Sequence, residues 1–274
     1  MVARKYLQGA LVAMSALVFT GAQFAPHNDG AGPVLIAASK WLVGSADQAD
    51  SVASKSKPSA LALATRNAIK ALRAVVGPLS SPVALQDAVR SYFAFRTAHP
   101  DAVRNPYLYF VDYGLPSTAP RGYVFDMNAL EIVDGPFTVA HGRGSSRAKY
   151  GVPTRFSNAE GSEATSLGLY VTENTYPFRG NSGGRSYRSI GLRLVGVSDG
   201  YNDNALQRRV VAHGAPYVTD EKAGRSEGCP AMEQSRARRL LPKLANGGVV
   251  FLFAPDSNWL SGDPWLTANA ANAE

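Results

Sequence analysis

From Tyr107 to Phe253 the apolar residues come in short, β-branched or aromatic runs: Tyr107–Tyr113, Gly122–Met127, Ile132–Ala140, Ile190–Val197, Arg208–Ala212 and Val249–Phe253. Gly, Pro, Asn or Asp bounds each run, so this region reads as short strands joined by turns. The pattern ahead of it is helical. Leu61, Ala68, Ile69, Leu72 and Val76 share one face of a segment from Ser59, and Gly77-Pro78 supplies a stop. A second helix is expected to open with Ser81 as cap and Pro82 in its first turn, carrying Leu85, Val89, Tyr92 and Phe93. The fold class expected is therefore mainly β (α+β), a β domain behind a short helical segment. With 274 residues, 45% hydrophobic and 18% charged, the chain can build a packed core, which excludes general disorder.

The N-terminus has the pattern of a secretory signal peptide. Arg4 and Lys5 precede an apolar stretch, Ala10–Phe19, and Thr20-Gly21-Ala22 offers small residues for cleavage. The apolar stretch is short for a transmembrane helix, so cleavage after residue 22 with no stable span afterwards is expected, an uncleaved anchor being the alternative, and the expected location is the periplasm or cell envelope. Loss of Arg4 and Lys5 leaves +5 of the formal +7. No basic cluster interleaved with aromatics points to nucleic acid. Residues 23–57 read as a linker, 58–99 as the helical segment, 100–260 as the β domain and 261–274 as a flexible tail. A final helix, Glu233–Leu244, puts Arg236, Arg238 and Arg239 on an expected solvated face.

The chain has one cysteine, Cys229, which excludes an intrachain disulfide framework and any multi-cysteine metal site. It lies in a polar turn, Gly224-Arg225-Ser226-Glu227-Gly228-Cys229-Pro230, where a buried structural cysteine would be out of place. His213-Gly214 lies sixteen residues upstream. A thiol attacks carbonyls as thiolate, and a neighbouring imidazole is the usual means of making it one. The segment 224–228 also fits G-x-S-x-G, but that serine motif needs a later histidine. His27, His99, His141 and His213 all precede Ser226. Ser226 is instead expected to hydrogen-bond the turn. His141 ends a strand in the same Val-Ala-His-Gly tetrapeptide as His213, and is either a structural histidine or part of the site. A zinc site formed by both histidines and the cysteine is a further alternative without a helical ligand pair to support it. The long stretches Gly142–Tyr150 and Arg179–Ser189 are expected to be binding or lid loops. Their Arg143, Arg147, Lys149, Arg185 and Arg188 either hold carboxylates or are simply solvated.

Taken together, His213-Gly214 and Ser226, Gly228 and Cys229 resemble the signature of murein L,D-transpeptidases of the YkuD-like fold. Tyr107–Pro116, Thr138–Gly144, Arg155–Gly168 and Gly224–Ala231 are similar to further blocks of a catalytic-domain branch of that family, covering most of residues 105–255. The resemblance implies an L,D-transpeptidase-like β-sandwich with no cofactor and no metal. It further implies that Cys229 attacks the third residue of a peptidoglycan stem peptide and releases D-Ala. His213 would take the thiol proton, the Gly214 carbonyl would orient the imidazole, and the Gly228 and Cys229 N–H groups would form an oxyanion hole. An amine acceptor then gives a 3→3 cross-link; water instead makes the protein an L,D-carboxypeptidase. Carbapenem-type inhibitors are expected to acylate Cys229. His141, Arg143, Arg225 and Tyr217 are candidate substrate contacts. Two positions depart from the pattern. Glu227 stands where many members have a second histidine, and Ala231 where many have Arg or Asn. Glu227 is expected to face solvent or an arginine, because pointing inward it would raise the thiol pKa. A degenerate cell-wall binding module and a redox-sensing thiol are the alternatives from other classes.

Overall fold

The computed structural model describes residues 59–267. The signal-peptide, linker and His27 readings lie outside them, as does the tail beyond Thr267. In chain order the elements are α1 (Ala60–Leu72), α2 (Ala84–Ala98), β1 (Tyr107–Asp112), β2 (Gly122–Asp126), β3 (Glu131–Phe137), β4 (His141–Gly142), β5 (Gly168–Ser182), β6 (Arg185–Gly196), β7 (Val211–Gly214), β8 (Arg225–Ser226), β9 (Ala231–Met232), α3 (Gln234–Leu244), β10 (Val249–Phe253), α4 (Ser257–Gly262) and α5 (Pro264–Thr267). Among the described residues no helix is long and apolar enough to cross a membrane.

One eight-stranded sheet runs in the order β3-β2-β1-β10-β5-β6-β7-β9, and β4 and β8 form a separate two-stranded sheet. The domain is α+β, as its strand runs and helical segment imply. At the centre, β10 pairs in parallel with β1 and antiparallel with β5. All five β10 residues, Val-Val-Phe-Leu-Phe, are buried, and such an unbroken apolar run belongs to a strand covered on both faces.

The helical segment belongs to this core. Leu72 of α1 and Leu85, Val89, Tyr92 and Phe95 of α2 are buried in one cluster with β1, β2 and β10. Asp112, at the end of β1, accepts hydrogen bonds from the Ser80 N–H and Oγ at 2.7 and 2.6 Å, fastening the interhelical segment to the sheet. The boundary expected at 99/100 therefore does not divide two cores, because neither α1 nor α2 buries its apolar face alone. The tail expected from 261 onward is likewise structured as far as Thr267. Arg90 donates to Leu266 O at 2.6 Å, and Phe95 meets Trp265 edge-on with centroids 4.8 Å apart. Helix α2 starts later than expected, with Val83 at its cap position and no side-chain cap there.

The largest departure is the Arg179–Ser189 stretch, which is not a loop. Strands β5 and β6 stay paired out to Ser182 opposite Arg185, around Gly183-Gly184. Both glycines have positive φ, +60° and +78°, which suits the two-residue hairpin turn whose twist matches the strands. Helix α3 also differs from expectation on one face. Arg236 and Arg239 both pair with Asp134, and Arg236 lies over the Phe137 ring, 4.6 Å from its centroid. Only Arg238 of the three arginines is exposed without such a partner.

Candidate active site

Strand β7 brings His213 into the sheet. Its neighbours are β6, with Gly191 opposite His213, and β9, with Ala231 opposite His213 in parallel register. The ring Nδ1 lies 3.1 Å from Gly214 O. A carbonyl oxygen only accepts, so Nδ1 carries the proton and Nε2 keeps its lone pair. Phe178, on the β5–β6 hairpin, stacks on the ring with centroids 4.2 Å apart. Burial lowers the imidazole pKa to about 4, with the Gly214 carbonyl pulling weakly the other way, so His213 is a neutral base at pH 7.

The cysteine turn spans the two sheets. It leaves β8, where Arg225 and Ser226 pair with His141 and Gly142, and enters β9 beside β7. Ser226 holds it closed: its Oγ donates to Cys229 O at 2.6 Å and accepts from Gly228 N–H at 3.2 Å. Gly228 has φ of +118°, and a Cβ there would stand 2.9 Å from Ala164 O, so both conformation and space demand glycine. The Gly228 N–H is thus already occupied, which corrects its expected place in an oxyanion hole. The Cys229 N–H has no protein acceptor among the described residues.

Cys229 is half-buried, and its Sγ lies 4.0 Å from Arg209 O. Burial pushes the thiol up to about 11 and Glu227 adds to this, while the Val211 backbone and Arg208 oppose it. Glu227 is three-quarters exposed and sits 3.5 Å from Arg143. Cys229 and His213 are not joined by a direct hydrogen bond. They are held together through the backbone, with His213 N–H donating to Pro230 O at 3.4 Å next to the cysteine.

A family model described as the L,D-transpeptidase catalytic domain matches residues 79–253. The chain belongs to this L,D-transpeptidase family. The match begins beside Ser80, which ties the helices to β1, and ends at the last residue of β10. No curated protein matches the chain. Among solved structures it is similar to the Ldtfm carbamoyl enzyme formed with avibactam, with 14% identity and a TM-score of 0.34, covering 56% of this chain and 50% of that one. An L,D-transpeptidase from Mycobacterium smegmatis gives 14% and 0.32, covering 54% and 59%. The L,D-transpeptidase from Xylanimonas cellulosilytica gives 14% and 0.32, covering 57% and 68%. The chain therefore spans between half and three-fifths of the first two relatives.

Within this L,D-transpeptidase domain the residues singled out from sequence gather round the turn. Tyr217 accepts from Gly224 N–H through its carbonyl at 2.8 Å, and its ring meets Tyr187 edge-on. Arg225 Nη1 donates to Ser146 O at 3.1 Å. Arg143 makes a two-pronged pair with Glu163. His141 is fully buried. Its Nδ1 accepts from Arg121 Nη2 at 2.9 Å, so its proton is on Nε2, which finds no partner. Burial first and the Arg121 charge second lower its pKa to about 3. Arg121 on the Nδ1 side also makes a metal ion there electrostatically unfavourable, and no cluster of three metal-binding side chains occurs among the described residues. The partner of His141 is thus a buried arginine.

Three residues of the site were not legible from sequence. Arg121, fully buried, donates to Val139 O at 3.0 and 2.7 Å and lies 4.7 Å from the Tyr113 ring centroid. Arg208 donates to Ser157 O and Ala164 O, both at 2.8 Å, and to Ser162 Oγ at 3.1 Å, clamping the loop that backs Gly228. Phe178 covers the imidazole. The only sequence signal for any of them was the Gly183-Gly184 turn, which makes 178 a strand position.

Proposed function

We propose that the protein is a cysteine acyltransferase acting on peptidoglycan stem peptides, exported by the N-terminal signal. The observation that carries this reading is the His213–Gly214 hydrogen bond on the strand that pairs with the exit of the cysteine turn. It leaves Nε2 as an acceptor for the thiol proton.

In this reading the Cys229 thiol gives its proton to His213 Nε2 as Sγ bonds to the carbonyl carbon of the third stem residue. The Cys229 N–H supports the developing oxyanion. When the C–N bond breaks, the imidazolium returns the proton to the departing D-Ala amine and a thioester remains. An acceptor amine attacks the thioester, yields a proton through His213 and restores the thiol, leaving a 3→3 cross-link. With the thiol at about 11 and the imidazole at about 4, both groups are neutral at pH 7, so proton transfer accompanies attack.

The test is incubation of the purified chain with tetrapeptide muropeptides, following D-Ala release and product mass. Release and a cross-linked dimer are expected, both lost in Cys229→Ala. Release that persists in Cys229→Ala, or none from the native chain, rejects the proposal. A tripeptide product without dimer identifies water as the acceptor.

A further inference from the structure

We propose that an arginine-lined cleft beside the cysteine turn is a carboxylate subsite for the donor peptide, binding the acidic residue that precedes the attacked one. This rests on the stem-peptide reading above and names a contact within it. The cleft, about 390 Å³, is lined by Arg143, Arg147, Arg155 and Arg225, with Ser145 and Thr154 among the remaining wall residues and no carboxylate in the wall.

The charges in it are unbalanced. Glu163 and Glu227 both pair with Arg143. Arg225 donates only to the carbonyls of Ser146 and Arg147, which leave its charge intact. Arg147 and Arg155 have no ion pair among the described residues. Three guanidinium groups therefore share one concavity without a counter-charge, an arrangement that an anion relieves. All four cations are arginines, whose planar fork matches a carboxylate with two parallel hydrogen bonds.

The cleft is also built in advance. The Thr154 and Arg155 N–H groups both donate to Ser145 O, at 2.8 and 3.1 Å, while Ser145 Oγ accepts from Thr165 N–H at 2.9 Å. These bonds hold the arginine-bearing loop to the body of the domain. Its position suits a neighbouring residue of the substrate. Arg225 lies on β8, which runs directly into the cysteine turn, and Arg143, which lines the cleft, pairs with Glu227 of that turn. Of the loop cations considered from sequence, Arg143 and Arg147 line the cleft and Lys149, Arg185 and Arg188 do not; Arg155 and Arg225 complete it.

The test measures binding by calorimetry to the full chain carrying Cys229→Ala, so that no turnover intervenes. The probes are a tetrapeptide with L-Ala, γ-linked D-Glu, a diamino acid and D-Ala, and the same peptide with the D-Glu carboxylate amidated. Amidation is expected to weaken binding about tenfold or more in the parent and only slightly in Arg155→Gln or Arg147→Gln. Arg238→Gln, on the exposed face of α3, should behave as the parent, and melting curves report folding of each variant. Equal affinity for both peptides, an equal loss on amidation with and without Arg155, or no binding of either peptide overturns the subsite. So does inorganic phosphate that displaces the peptide at equal concentration, since the site would then be a phosphate site. Failure of the catalytic reading looks different: the native chain would release no D-Ala while carboxylate-dependent binding persisted.

Discussion

His213 and Phe178 lie face to face, their ring centroids 4.2 Å apart and their planes 18° from parallel. The two come from different strands of the same sheet. The hairpin that looked like a loop thus covers the imidazole, keeps water from one face and holds the histidine neutral. Gly214 O fixes the same ring from its edge. Rotamer and protonation state are set before any substrate arrives.

Phe178→Ala should expose the ring and let the His213 pKa rise from about 4 towards its ordinary 6.5. The hairpin should persist, because its ladder continues on either side of residue 178. Titration of the imidazole by NMR, with the acid limb of kcat/KM alongside, would measure the shift. An unchanged value in both would remove Phe178 from the account.

Thiol reactivity should climb with pH and show no plateau near neutrality. With Cys229 at about 11, alkylation by iodoacetamide should rise about tenfold per pH unit between 7 and 10. A plateau below pH 8 would mean a resting thiolate–imidazolium pair instead. Arg208→Gln should slow alkylation at fixed pH several-fold, because the Arg208 charge opposes the upward shift of the thiol. Arg208→Lys should recover part of that rate, since it keeps the charge but not the guanidinium bonds to Ser157, Ser162 and Ala164.

Acid should destabilise the domain through its two buried histidines. Their folded pKa values, about 4 for His213 and about 3 for His141, lie below the unfolded 6.5. Between these values the unfolded chain binds protons that the folded chain refuses, so stability rises with pH there. The contribution is complete above about 6.5 and is lost as pH falls towards 4 and 3. Urea midpoints across pH 3 to 7 would record it. In His141→Gln the loss below pH 4 should shrink; the same slope as in the parent would contradict the assignment.

Arg121→Met should destabilise the fold by about 3–5 kcal/mol, because Val139 O and His141 Nδ1 lose their donor inside the core. For a domain of this size that is roughly 10 °C in Tm. Arg121→Lys should fail to restore it, since a single ammonium cannot serve the carbonyls and the imidazole together. Full stability in either variant, read by thermal unfolding, would refute the role.

The sequence was most legible where a local pattern is its own cause. The runs that became β1, β2 and β10 are apolar because they lie at the covered centre of the sheet, and Ser226, Gly228 and Cys229 sit in a turn whose bonds span only a few residues. Strand β5 was not legible. Its outer half, from Glu173 to Ser182, is largely polar or exposed and its ladder shifts between Thr172 and Thr175, so no alternation announces it. It is a strand because β6 supplies its hydrogen bonds.

The same division runs through the site. Chain order and residue type alone determined that one cysteine stands in a glycine turn downstream of a histidine-glycine and that a serine-histidine order is excluded, and they led to the expectation that Glu227 faces solvent or an arginine. Only the tertiary structure decided which atoms are available. It occupied the Gly228 N–H with Ser226, set opposite tautomers on His213 and His141 through Gly214 O and Arg121, stacked Phe178 on His213 and brought Arg208 behind Gly228. The reason is physical: pKa, tautomer and pocket charge depend on burial and on groups distant along the chain, and neither can be read from neighbours in sequence.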